Sequence, residues 1–130
     1  MEAFMVRSIL FAACFFTAFL FGDTFEGQYA VSGYDPYAQV TYTGEAQITR
    51  MGDNVYQIVW NFADSNQPSV GTGMLRNNTL SVVFLTVQGD EEMYGLQIYS
   101  VENGNLSGKW IYLQGAKLGT ETLTKMESQK

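Results

Sequence analysis

The chain has no histidine, one cysteine and two prolines in 130 residues. Without histidine there is no Ser-His-Asp or Cys-His nucleophile system and no histidine-ligated zinc. One cysteine makes neither an internal disulfide nor a cysteine metal cluster. Basic residues are also scarce, seven against thirteen acids, for a net charge of −6. Nucleic acid, which recruits stripes of Lys and Arg, is therefore not an expected partner. The length suits one domain.

Apolar residues run unbroken only near the N-terminus. Arg7 precedes Ile9 to Phe21, a stretch in which Thr17 alone is polar. A membrane-spanning helix needs about 20 apolar residues, so this stretch is short for one. A basic residue followed by a short apolar core is the pattern of a secretory signal peptide. The expectation is a signal helix over residues 1–22, cleaved after Gly22, and a single domain over residues 23–130. The export expectation places the mature protein in the periplasm, at the cell surface or outside. A retained anchor is the competing reading. Cleavage would remove Cys14 and six of the nine Phe, leaving Phe25, Phe62 and Phe84. It would also remove Glu2 and Arg7 together, so the charge would stay at −6. The last nucleophilic thiol would go with it.

What remains is rich in Tyr, Thr and Gly, with period-two alternation and a turn signal every eight to twelve residues. That spacing belongs to sandwiches and barrels. Eight strands are expected, at about Gly27 to Gly33, Gln39 to Arg50, Val55 to Phe62, Val70 to Leu75, Leu80 to Val87, Tyr94 to Val101, Leu106 to Leu113 and Leu118 to Thr124. The turns between them carry their own chemistry. Asp35-Pro36 fixes one backbone angle and offers a side-chain acceptor, and Asn77, Asn78 and Asn103-Gly104 tolerate positive φ. Every connection is short, so neighbours in sequence should be antiparallel neighbours in space. An eight-stranded antiparallel up-and-down β-barrel is the expected fold, because closure removes both edges. A two-sheet β-sandwich is the alternative. Gly44, Gly71, Gly73, Gly95, Gly108 and Gly119 inside strands favour the barrel, which needs bends and close approaches.

The acids fall mostly in turns, where carboxylates are ordinarily solvated, so paired-carboxylate catalysis is not expected. Asp90-Glu91-Glu92 reads as an acidic loop, since calcium loops space their ligands. No cofactor and no metal is expected, and the chain reads as non-enzymatic. Glu121 stands apart. It shares a face with Gly119 and Leu123, while Thr120, Thr122 and Thr124 share the other. If the leucine face is interior, a buried carboxylate needs a partner. Arg50 or Arg76 is the expected one, and the pair would either anchor a ligand head group or plug the barrel. If the threonines face inward, Glu121 is on the surface.

The tyrosines at 34, 37, 42, 94, 99 and 112 exceed what a small core needs, and tyrosine suits binding surfaces. Tyr34, Tyr37, Tyr42, Trp60, Tyr99, Trp110, Glu121 and Arg50 are thus the candidate binding residues. Two functions follow. One is engagement of a protein partner through exposed tyrosines and loops. The other is carriage of a small apolar ligand inside the barrel. The interior separates them. Filled by Tyr42, Ile58, Trp60, Phe84 and Trp110 it has no room for a ligand, whereas a cavity above roughly 300 Å³ favours the carrier.

Several stretches, in order, span nearly the whole mature chain. They are Gly27 to Gly33, Tyr42-Thr43-Gly44, Gly52 through Tyr56 to Ile58 and Trp60, and Gly71-Thr72-Gly73. Leu80-Ser81-Val82, Gly104 to Trp110 and Gly119 to Thr124 complete the set. The ordered set resembles a family of small secreted bacterial proteins often labelled fibronectin-binding proteins. The resemblance implies export and adhesion to a host or cell-surface glycoprotein, and it brings no site residues with it. The loop from Gln88 to Met93 is more acidic than that pattern. A looser likeness to avidin- and lipocalin-type barrels rests on architecture, which does not imply function.

Overall fold

Period-two alternation becomes inside-outside alternation around a closed wall. The computed structural model describes residues 25–127. The expected signal segment over residues 1–22 and the last three residues lie outside that range. Eight strands follow one another: β1 (Gly27–Asp35), β2 (Val40–Gly52), β3 (Val55–Phe62), β4 (Ser69–Arg76), β5 (Thr79–Gln88), β6 (Glu91–Glu102), β7 (Asn105–Tyr112) and β8 (Gly119–Lys125). Each pairs antiparallel with its neighbour in sequence, and β1 pairs with β8 to close the barrel. The β1–β8 ladder runs from Tyr29↔Lys125 to Tyr34↔Thr120. A sandwich would leave these two strands unpaired, so the barrel expectation holds.

The two ends of the barrel are built differently. At one end, the β2–β3, β4–β5 and β6–β7 turns are two residues long. Asn54, Asn77 and Asn103 sit there at φ of 61°, 58° and 55°, followed at the last turn by Gly104 at 82°. These are left-handed positions that asparagine and glycine accept. Phe25, just ahead of β1, folds over this end. Its ring meets Tyr56 edge-on at 4.6 Å, and its carbonyl accepts a hydrogen bond from the Tyr29 hydroxyl at 2.7 Å. Beneath it, Tyr29, Ile48, Ile58, Leu80, Val82, Leu106 and Leu123 have no exposed surface. This half is a solid apolar core.

At the other end the β1–β2, β3–β4 and β7–β8 connections are longer, covering residues 36–39, 63–68 and 113–118. Asp35 organises the first of them. Its Oδ1 accepts from the Tyr37 N–H at 2.8 Å and the Ala38 N–H at 3.2 Å, as the sequence predicts. This end is open.

The interior glycines have a common partner type. Each of several sits directly opposite an aromatic ring: Gly33↔Tyr42, Gly44↔Phe62, Gly95↔Phe84 and Gly119↔Trp110. The reason is space. A Cβ at Gly95 would stand 2.2 Å from Phe84 Cζ, and one at Gly119 would stand 2.2 Å from Trp110 Cε2. The rings lie over bare backbone, and the wall curves where side chains are missing.

Arg50 and Arg76 are corrections. Both lie at the closed end, away from Glu121. Extending the alternation of β2 puts Arg50 on the inner face opposite Tyr56, but it is the last such position before the rim, and the ladder shifts register beyond it, between Arg50 and Gly52. Arg50 instead pairs with Asp53 at 2.9 Å in solvent. Val40, at the start of β2, stands at the rim of the barrel and is half exposed.

Candidate ligand cavity

Beyond the solid half, the lumen opens into a cavity of about 480 Å³ at the open end. Its wall is aromatic. Tyr42, Trp60, Phe62, Phe84, Trp110 and Tyr112 all line it, with Gln97, Ser69, Thr86 and Glu121 between them. The rings contact each other around the cavity. Phe84 meets Trp60, Trp110 and Tyr112 at centroid distances of 6.1, 6.4 and 6.1 Å, and Tyr42 meets Phe62 edge-on at 5.3 Å. Such edge-to-face contacts hold the rings in place without filling the lumen.

The alternation of β8 resolves in favour of the leucine face. Gly119, Glu121 and Leu123 point inward, and Thr120, Thr122 and Thr124 point out. Glu121 is 4% exposed, which overturns the surface reading. Its partners are not arginines. Oε1 accepts from the Tyr42 hydroxyl at 2.8 Å. Oε2 accepts from the Trp60 indole N–H at 2.9 Å and from the Tyr99 hydroxyl in a short hydrogen bond. Three donors from β2, β3 and β6 therefore converge on one carboxylate. Burial pushes the Glu121 carboxyl above the ordinary carboxylate range, and the three hydrogen bonds oppose that rise.

The tyrosines respond in kind. Burial raises Tyr99, and the adjoining Glu121 charge raises it further. Tyr42 is raised for the same two reasons. The Trp110 indole N–H lies beside the Tyr42 hydroxyl and pulls its pKa the other way. That N–H nevertheless meets no acceptor at hydrogen-bonding geometry, although Trp110 is only 6% exposed. A buried donor left in this condition is unusual, costing about 1–3 kcal/mol.

Two polar contacts complete the wall. Ser69 Oγ donates to Thr86 Oγ1 at 2.6 Å, and Gln97 Nε2 donates to the Lys109 carbonyl at 3.2 Å. Tyr37 closes one side of the mouth. Its hydroxyl donates to the Lys117 carbonyl at 2.7 Å, and its ring packs on Tyr112 at 5.1 Å and Trp110 at 6.0 Å.

Of the eight sequence candidates, Tyr42, Trp60, Tyr99, Trp110 and Glu121 gather at this site, and Tyr37 stands over it. Tyr34 lies apart, on the outer face. Arg50 is at the other end. Phe62, Gln97 and Ser69 also line the cavity without having been singled out; Phe84, expected inside the barrel, Tyr112, one of the surplus tyrosines, and Asp35, read as a turn residue, line it too. The glycine opposite Phe62 and the one opposite both Phe84 and Tyr112 are the signals that could have found those rings.

No family model and no curated protein matches the chain. Among solved structures, the redesigned β-barrel b11L5F_LGL is similar at a TM-score of 0.64 and 13% identity, over 80% of this chain and 93% of that one. A redesigned β-barrel, mFAP1, bound to DFHBI, is similar at 0.64 and 13%, over 78% of this chain and 95% of that one. The redesigned barrel mFAP0, also bound to DFHBI, is similar at 0.63 and 14%, over 79% of this chain and all of that one. At such identities the likeness is one of fold.

Proposed function

We propose that the chain is a binding protein that holds one small, largely apolar molecule in the open half of its barrel. The cavity carries this reading. It measures about 480 Å³ and is walled by rings, with a few convergent polar groups at its floor. Ligand sites have this composition and span about 300–1,000 Å³. The barrels mFAP1 and mFAP0, which share the fold, hold a small molecule, DFHBI.

The remaining solid half gives the site its rigidity. Glu121 fixes Tyr42, Trp60 and Tyr99 from one point, so the cavity floor is set before a ligand arrives. A preformed site avoids the ordering cost that a flexible one incurs on binding. The export reading rests on residues 9–21 and stands beside this one as a proposal.

Native mass spectrometry of protein purified from its source tests the function. A retained small molecule supports it. A bare mass, together with no saturable quenching of tryptophan by small aromatic probes, overturns it. Engagement of a protein partner is the second reading, and it draws on the outside of the wall. Val70, Met74, Val83, Leu96 and Ile98 are exposed together on adjoining strands β4, β5 and β6. That band is where a partner would sit.

A further inference from the structure

The open mouth of the barrel is acidic. Around the open mouth stand Asp35, Asp64, Asp90, Glu91 and Glu92, against Lys117. Arg50, Arg76 and Lys125 are at the closed end, among Glu26, Asp53 and Glu102, and Lys109 is exposed on the outer face of β7. Asp35 and Asp64 line the cavity itself, with Glu121 below them, and no Lys or Arg is among the lining residues. A fatty acid or other organic anion would enter this mouth against its field and meet no counter-charge inside.

The interior has the opposite preference. The faces of aromatic rings attract cations, most strongly where water is excluded. Trp60, Phe84, Trp110 and Tyr112 surround the space above Glu121. The carboxylate itself is incompletely used. Oε2 accepts two hydrogen bonds and Oε1 only one, so a position for one more N–H remains on Oε1. The orphan Trp110 N–H asks for an acceptor in the same cavity. An inorganic cation is a poor fit, since no three metal-ligating side chains converge among the described residues.

We infer that the ligand is an organic cation, an ammonium or amidinium on an apolar ring-sized body that also carries a hydrogen-bond acceptor. This rests on the cavity being a ligand site. The cationic group is drawn in by Asp35 and Asp64 and sits among the ring faces above Glu121, where a cation that bears an N–H also donates to Oε1. The acceptor atom takes the Trp110 N–H.

The test uses three dyes of similar size: cationic thioflavin T, neutral prodan and anionic 8-anilinonaphthalene-1-sulfonate. Both tryptophans of the chain line the cavity, so quenching of their fluorescence reports occupancy. Thioflavin T is expected to bind at least tenfold tighter than the anionic dye, and more weakly as salt rises. Asp35→Asn with Asp64→Asn is expected to weaken thioflavin T several-fold more than it weakens prodan. Asn at 35 keeps an acceptor for the Tyr37 and Ala38 N–H groups, so the turn survives. Anionic dye binding as tight as the cation, or a cation affinity that ignores both substitutions, overturns the inference and leaves the cavity reading standing. Failure of all three dyes to quench overturns both.

Discussion

Trp60 on β3 and Glu121 on β8 meet across the lumen, indole N–H to carboxylate, at 2.9 Å. Two intervening strands separate them around the wall, so the contact cross-braces the barrel. Tyr42 and Tyr99 reach the same carboxylate. Glu121→Leu would leave these three donors without their acceptor, although Tyr42 retains the Thr120 carbonyl at 3.2 Å. An unsatisfied buried donor costs about 1–3 kcal/mol, so with Trp60 and Tyr99 both orphaned the leucine variant should lose at least ~2 kcal/mol. Glu121→Gln keeps one acceptor oxygen, and its amide can donate to Tyr42. It should lose far less. Denaturant melts of the three proteins decide the matter, and equal midpoints for the Leu and Gln variants would show that the network has no stabilising role.

The same residue sets a pH dependence. The folded state raises the Glu121 carboxyl above its ordinary value of 4.5, chiefly through burial. Between the unfolded and folded values, the native protein holds a proton that the unfolded chain has released. Stability from this group is complete below about 4.5 and declines as pH rises through the folded value. Glu121→Gln removes the group. The melting temperature of the parent minus that of the Gln variant should therefore be constant at low pH and fall as pH rises toward neutrality. A difference that grows over that range would mean the carboxyl is lowered, not raised.

Burial also protects tyrosines from ionising. Tyr29 is pushed from 10 up to about 12, and Tyr42 and Tyr99 are also raised well above 10. Absorbance of tyrosinate at pH 11 should show Tyr29, Tyr42 and Tyr99 still protonated in the folded protein. Adding denaturant at that pH should release them. Because the folded values are raised, their contribution to stability is intact below 10 and lost as pH climbs past it. Full ionisation of all eight at pH 11 without denaturant would contradict the closed lumen.

The strands were legible because the turn chemistry and the alternation agree. Val55 to Phe62 keeps Tyr56, Ile58, Trp60 and Phe62 on one face, and Asn54, Asn77 and Asn103 mark left-handed turns that asparagine accepts. The open-end loops were less legible. Gln39 and Gln114 adopt φ of 61° and 70° there, positions that glutamine does not advertise. Alternation also leaves the two faces of β8 equivalent, since leucine and glutamate share one and threonines the other. Only the pairing of Gly119 with Trp110 across β7 and β8 decides which is interior, and pairing is a property of the closed wall. The Arg50 expectation failed for a different reason: alternation does not say which end of the barrel a residue reaches, and Arg50 lies by the β2–β3 turn, where its side chain pairs with Asp53.

The glycine–aromatic pairing makes the sharpest mechanical claim. At Gly119 an added Cβ would stand 2.2 Å from Trp110 Cε2 and 2.5 Å from Nε1. The ring cannot rotate away freely, because Tyr37, Tyr42, Phe84 and Tyr112 surround it. Gly119→Ala should thus push Trp110 toward the cavity and destabilise the barrel by about 1–3 kcal/mol, the range for an overpacked core. Gly52→Ala is the control, since nothing lies within 4 Å of the added carbon there. Its melting temperature should stay close to that of the parent, while the Gly119 variant melts several degrees lower with altered tryptophan emission. Affinity for a cavity probe should fall in the Gly119 variant alone, because the displaced ring takes up the space the probe needs. A Gly119→Ala protein with unchanged stability and unchanged probe affinity would show that the ring is not seated on bare backbone, and the account of how this barrel keeps its lumen open would fail with it.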